Sequence, residues 1–211
     1  MTRVKICGLT TACDVTLAAG CGAWACGFVL SDSPRQVSAA RAAELTPLCG
    51  DSLAVAVVTT EEPAWIAGAV AAGGFGAVQL SAGAAGPAVA AVRAAAQSRG
   101  LRPLVIAADD TEGSDEADLV LCDARTPEAY GGTGRRLDWA ALAATEPPRE
   151  RLVLAGGLCP SNVAGAIELL RPFAVDVAKG TERTPGIKDP EAVRAFFDGV
   201  AGADASEGRA T

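Results

Sequence analysis

The chain has 211 residues, half of them hydrophobic, with a formal net charge of −7, 24 glycines and no histidine. That length supports one sizeable core, and the acidic balance excludes the concentrated basic surface that a nucleic-acid backbone requires. A small molecule is the ligand class left, and any acid or base acting on it must be a carboxylate, a thiol, a lysine or a tyrosine.

From Lys5 onward, short apolar runs alternate with longer amphipathic or Ala-rich stretches, the pattern of repeated βα units around a parallel sheet. The first run, residues 4–7, breaks at Gly8 and precedes a predicted helix over 10–20, after which strand two is predicted over 24–30. A helix beginning near Ser38, whose hydroxyl suits an N-cap, leads to strand three over 53–58. Helices over 63–72 and 87–99 precede strands four (75–80) and five (103–107). The next connection, 108–117, carries Asp109, Asp110, Glu112, Asp115 and Glu116 and has no apolar face, so a loop or single turn is expected in place of a fifth helix. Strands over 118–122, 152–155 and 174–178 follow, separated by helices over 138–144 and 160–170, and a last helix over 190–200 completes the pattern. Eight such strands describe an α/β protein with a single (β/α)8 (TIM) barrel over residues 1–200, the fifth helix short or missing, and residues 201–211 a disordered tail. A doubly wound open sheet is disfavoured because the first βα turn lacks a G-x-G-x-x-G fingerprint.

No apolar run approaches the roughly 20 residues of a membrane span, and the first residues read as a strand rather than a signal peptide. The expectation is a cytoplasmic protein with no membrane partner. The seven cysteines are an odd number without a C-x-x-C pair, which reads as reduced thiols and neither a disulfide framework nor a metal site.

In such a barrel the chemistry belongs at the carboxyl ends of the strands. Cys7 ends strand one, where it is either a reactive thiol or a small apolar filler. Asp123 follows Leu119-Val120-Leu121-Cys122 and is placed to donate a proton, with a capping or loop aspartate as the bland reading. Asp176 sits between Val175 and Val177, so alternation turns it into the barrel, where it needs a substrate hydroxyl or a structural hydrogen bond. Gln79 stands at the end of strand four and Arg35 in the loop after strand two, the latter suited to a substrate carboxylate. Gly156 and Gly157 after strand seven, with Ala178, Lys179 and Gly180 after strand eight, are positioned to bind a phosphate through bare backbone N–H groups. The stretch Tyr130-Gly131-Gly132-Thr133-Gly134-Arg135-Arg136 is glycine-rich without the G-K-[ST] of a Walker loop, so nucleotide hydrolysis is not indicated.

Several motifs in this order resemble the phosphoribosylanthranilate isomerase family of tryptophan biosynthesis. They are Lys5-Ile6-Cys7-Gly8-Leu9-Thr10, Gly27-Phe28-Val29-Leu30 with Ser33-Pro34-Arg35, Gly131-Gly132-Thr133-Gly134 with Asp138-Trp139, Leu154-Ala155-Gly156-Gly157-Leu158 with Asn162-Val163, and Val175-Asp176-Val177 with Pro185-Gly186-Ile187-Lys188-Asp189. The resemblance implies a barrel without a proper fifth helix, no cofactor, and a monomer or homodimer acting on a small phosphorylated substrate. It also implies an Amadori rearrangement of N-(5-phosphoribosyl)anthranilate to 1-(2-carboxyphenylamino)-1-deoxyribulose 5-phosphate. On that pattern Asp123 is the general acid, Cys7 the general base, Arg35 the carboxylate clamp, Asp176 a close neighbour of the substrate, and the two glycine loops the phosphate site. The chain departs from the family at Ser81, where a histidine is usual, and at Ala178-Lys179, where two serines are usual. A paralogue that turns over, or only binds, a related phosphorylated sugar-amine is the alternative those departures leave open.

Overall fold

The computed structural model describes residues 1–123 and 139–207. Alternation decides its layout. In β1 (Arg3–Cys7), Val4 and Ile6 turn outward toward the helices while Lys5 and Cys7 turn inward. The same division runs through β2 (Ala25–Val29), β3 (Leu53–Val58), β4 (Ala77–Leu80), β5 (Leu104–Ala108), β6 (Leu119–Asp123), β7 (Leu152–Ala155) and β8 (Ala174–Val177). Their outward residues, among them Phe28, Val78, Val105 and Leu154, form the large core beneath the helices, and their inward residues form a second core of Ala25, Val55, Val57, Ala77, Ile106, Leu121 and Val153. Each strand pairs in parallel with the next, and β8 returns to β1 with Lys5 opposite Asp176, closing the barrel.

The two ends of the barrel differ in chemistry. Trp24 and Phe173, just before β2 and β8, meet edge to face at 5.4 Å at the amino end, and Arg3 stacks on Phe173 at 4.2 Å from the ring centroid. The carboxyl end carries Cys7, Gln79, Asp123 and Asp176 on the inward register. An apolar plug at one end and polar groups at the other leave the carboxyl end as the place for a ligand.

The helices are α1 (Ala12–Gly20), α2 (Ala39–Leu45), α3 (Pro63–Gly73), α4 (Val89–Gln97), α5 (Trp139–Ala144), α6 (Val163–Leu170) and α7 (Pro190–Glu207). Thr11 and Ser38 cap α1 and α2, each hydroxyl accepting from a backbone N–H three residues on at 3.1 Å. Between β5 and β6 the described residues contain only a 3-10 turn, Ser114–Glu116, as the acidic composition of that connection led us to expect.

Two sequence expectations need correction. The last helix does not end near residue 200 but continues to Glu207. Its extra turns are tied down: Ala203 is buried, and Asp204 accepts hydrogen bonds from the Thr2 amide at 2.8 Å and hydroxyl at 2.9 Å. The small polar composition that resembled a tail conceals this one buried stripe. The sequence reading also had no place for a hairpin between β8 and α7, where β9 (Glu182–Thr184) and β10 (Ile187–Lys188) pair antiparallel.

Candidate active site

Cys7 is 8 % exposed at the mouth of the barrel. Lys5 lies two residues before it on the same inward face and is fully buried, its Nζ 3.0 Å from Oδ1 of Asp176 on the adjoining strand. Gly27 of β2 makes room for both side chains. A Cβ added there would stand 3.0 Å from Lys5 Nζ and 3.1 Å from Cys7 Sγ, so the ammonium and the sulfur share the space over one glycine. Burial pushes the Cys7 thiol up, Lys5 draws it down, Asp176 opposes Lys5, and Lys188 adds a smaller downward pull; the net shift is upward. Burial pulls the Lys5 ammonium down, but attraction from Asp176 and then Cys7 outweighs it and leaves Lys5 above its ordinary value.

In the sequence Lys5 stands out only as the start of a family motif, with no role of its own, because it precedes the reactive-looking cysteine in a strand that reads as an apolar run. The signal was available: with Val4 and Ile6 facing the helices, alternation forces Lys5 inward beside Cys7.

The hairpin supplies a second charged group of contacts. Arg35 makes a two-pronged bond to Glu182, Nε to Oε1 at 2.8 Å and Nη2 to Oε2 at 2.7 Å, while its aliphatic stem covers Gly8. The buried Lys188 ammonium donates to the Cys7 carbonyl at 2.7 Å, the Ala178 carbonyl at 3.0 Å and Glu182 at 3.3 Å. It thereby ties the ends of β1 and β8 to the hairpin. Burial pushes the Glu182 carboxyl up, but Arg35 and Lys188 hold it below its ordinary value; burial pulls Lys188 down against Glu182. The guanidinium expected to clamp a substrate carboxylate is therefore oriented by a protein carboxylate at the mouth.

Beyond β7, Gly156 (φ +85°) and Gly157 (φ +68°) occupy the left-handed region that L side chains rarely enter. Asn162 fixes this loop by donating to the Gly157 carbonyl at 3.0 Å and accepting from the Cys159 amide at 2.8 Å. Gly180 belongs to the short 3-10 turn Lys179–Thr181 and presses against the Leu158 carbonyl and Cys159 Cα so closely that no Cβ fits. The β7 and β8 loops thus pack against each other, with Lys179 exposed beside them.

On the remaining arc, Gln79 donates from Nε2 to Ser81 Oγ at 2.9 Å, and its buried Oε1 has no protein partner. A buried acceptor of this kind calls for a donor. Asp123 ends β6 half-buried, three strands round the ring from Cys7. Gly131–Gly134 and Asp138, the glycine-rich stretch read from the sequence, lie outside the described residues. Among the described residues no group of three His, Cys, Asp or Glu is placed to hold a metal ion, and no helix is long and apolar enough to cross a membrane.

Residues 4–199 match the family described as N-(5'-phosphoribosyl)anthranilate (PRA) isomerase. The chain belongs to this family. An N-(5'-phosphoribosyl)anthranilate isomerase from Citrifermentans bemidjiense is 39% identical over 204 residues, 92% of this chain and 94% of that protein. The crystal structure of phosphoribosyl anthranilate isomerase from Thermotoga maritima superimposes with a TM-score of 0.80 at 37% identity, covering 96% of this chain and 100% of that one. A second isomerase crystal structure, in complex with reduced 1-(o-carboxyphenylamino)-1-deoxyribulose 5-phosphate, gives a TM-score of 0.76 at 33% identity with the same coverage of 96% and 100%.

Proposed function

We propose that this chain performs the isomerase step of tryptophan biosynthesis, converting N-(5-phosphoribosyl)anthranilate to 1-(2-carboxyphenylamino)-1-deoxyribulose 5-phosphate. The observation that carries the reading is that Asp123 and Cys7 stand at strand ends of one barrel mouth, to which the packed, glycine-bearing β7 and β8 loops also belong. The phosphate lies against the backbone of Gly156, Gly157, Ala178, Lys179 and Gly180, where N–H groups attract the dianion. Arg35, held in plane by Glu182, meets the anthranilate carboxylate.

Asp123 gives a proton to the furanose oxygen, the C1–O bond breaks, and the nitrogen lone pair forms an iminium ion. The Cys7 thiolate then removes the proton from C2, and those electrons neutralise the iminium to give an enolamine. Return of a proton to C1, with loss of the C2 hydroxyl proton, leaves the ketone. The Gln79 amide oxygen, which has no protein partner, accepts from a substrate hydroxyl, and Asp176 takes up a second. Nothing in this sequence of steps asks for a cofactor.

The test is direct. Purified protein mixed with N-(5-phosphoribosyl)anthranilate should extinguish the fluorescence of that substrate at a rate proportional to enzyme concentration. Binding without loss of fluorescence would make the chain a diverged binder instead.

A further inference from the structure

A base needs its proton removed, and the Cys7 sulfur sits where water gives little help, at 8 % exposure. The anion must then be stabilised by fixed charges, and among the described residues these can be enumerated from every element around it. Lys5 comes from β1, Asp176 from β8, Lys188 and Glu182 from the hairpin, Arg35 from the loop after β2, and Asp14 from α1. Arg35 and Glu182 face each other. Asp14 is turned to the Lys188 amide at 3.2 Å. Lys188 directs its ammonium to the carbonyls of Cys7 and Ala178 and to Glu182, which uses the three donors a lysine possesses. It holds the Cys7 backbone and has no hydrogen left for the sulfur.

Lys5 differs. One of its donors goes to Asp176, and the Cys7 sulfur is the next group over the face of Gly27. We infer that Lys5 is a positioning residue whose buried ammonium stabilises the Cys7 thiolate, with Asp176 keeping that ammonium charged inside the barrel. The inference rests on the reading of Cys7 as the base. During turnover the C2 proton passes to sulfur and Lys5 keeps its own, so the lysine touches neither substrate nor the reacting carbon. Asp176 has a double function in this arrangement, since it faces the substrate space and also makes a charged lysine tolerable where an isolated ammonium would be costly.

The alternative for Lys5 and Asp176 is a purely structural ion pair filling the barrel. The two accounts differ in what happens to the sulfur. We would measure the rate of iodoacetamide labelling of the Cys7-containing peptide by mass spectrometry from pH 6 to 10, which counts the thiolate without any substrate and separates Cys7 from the exposed Cys13. Lys5→Met removes the charge, and Lys5→Met/Asp176→Asn removes both charges, so that no unpaired carboxylate threatens the fold. In Lys5→Met, labelling of Cys7 should need a pH about one unit higher and be about tenfold slower at pH 8; in the double variant, which also lifts the repulsion of Asp176, the shift should be upward but smaller, with circular dichroism unchanged in both. The acid limb of kcat against pH should move the same way. A labelling profile of folded Lys5→Met that coincides with wild type, or a double variant whose profile shows no upward shift at all, would overturn the role of Lys5. If instead the wild type fails to convert N-(5-phosphoribosyl)anthranilate, the functional reading falls while the labelling data still decide whether Lys5 governs the thiolate.

Discussion

Cys7 and Asp123 differ in a way that lets mutagenesis tell their roles apart. Cys7→Ser keeps size and polarity but replaces a thiol by a far weaker acid, so turnover of N-(5-phosphoribosyl)anthranilate should fall by roughly 10²–10⁴, the usual scale for a positioned base, with KM nearly unchanged. Asp123→Asn keeps the shape and cannot deliver a proton, and steady-state fluorescence assays should again show kcat falling far more than KM changes. If the asparagine variant kept its maximal rate and lost affinity, Asp123 would be a binding residue. Such residues were legible in the sequence wherever alternation and strand-end position coincide: Cys7, Asp123 and Asp176 all announce themselves this way. Arg35 and Gln79 were legible as residue types, but not their partners, because Glu182 lies 147 positions from Arg35 and only the closed barrel brings the two together. Lys5 shows the opposite failure, a signal that was present but masked by its apolar neighbours.

At the scale of elements, the barrel strands and helices were readable because the barrel strands are buried on both faces and four of the helices begin with a cap or a proline, at Thr11, Ser38, Pro63 and Pro190. The β9–β10 hairpin was not, since strands of three and two residues carry no periodicity to detect. Its importance comes from long-range charge pairs. The contact between the β7 and β8 loops is likewise invisible in sequence, although the glycines themselves are conspicuous. Gly180 presses on the Leu158 carbonyl, so Gly180→Ala must separate the two loops or distort one of them. Losing one charge-assisted backbone bond to the phosphate, about 1.5–3 kcal/mol, corresponds to a KM raised roughly ten- to hundredfold, with kcat much less affected. Isothermal titration with a phosphorylated product analogue would check this, and wild-type affinity in Gly180→Ala would show that the two loops do not jointly form the phosphate site.

For the whole molecule, the buried thiols impose a pH dependence on stability whose sign can be worked out. Burial and then its neighbour Asp109 push Cys122 up to about 11, against roughly 8.5 for a thiol in an unfolded chain. Burial likewise raises Cys7 despite Lys5, and Cys26 is raised by its hydrogen bond to Cys49 and by burial. Above pH ~8.5 the unfolded chain therefore gives up thiol protons that the folded barrel keeps, and the folded state binds more protons. Stability must then fall as pH rises, by about 1.4 kcal/mol per pH unit for each such thiol until its folded value is reached. Lys188, held below its ordinary value by burial, works in the opposite sense, because there the unfolded chain holds the extra proton up to pH ~10.4. Cys49, drawn down by the same hydrogen bond that raises Cys26, also opposes the trend, but its effect fades above the unfolded-chain value of about 8.5, so three raised thiols against Lys188 leave the slope negative between pH 9 and 10. Urea denaturation under a reducing agent at pH 8, 9 and 10 should show midpoints that decline at constant m-value. Cys122→Ala removes one of these protons without adding bulk, so its decline should be shallower by about one thiol's share, whatever the cavity costs at pH 8. A midpoint that holds steady or rises from pH 8 to 10 in the wild type would mean that these thiols ionise as readily in the folded barrel as in the open chain.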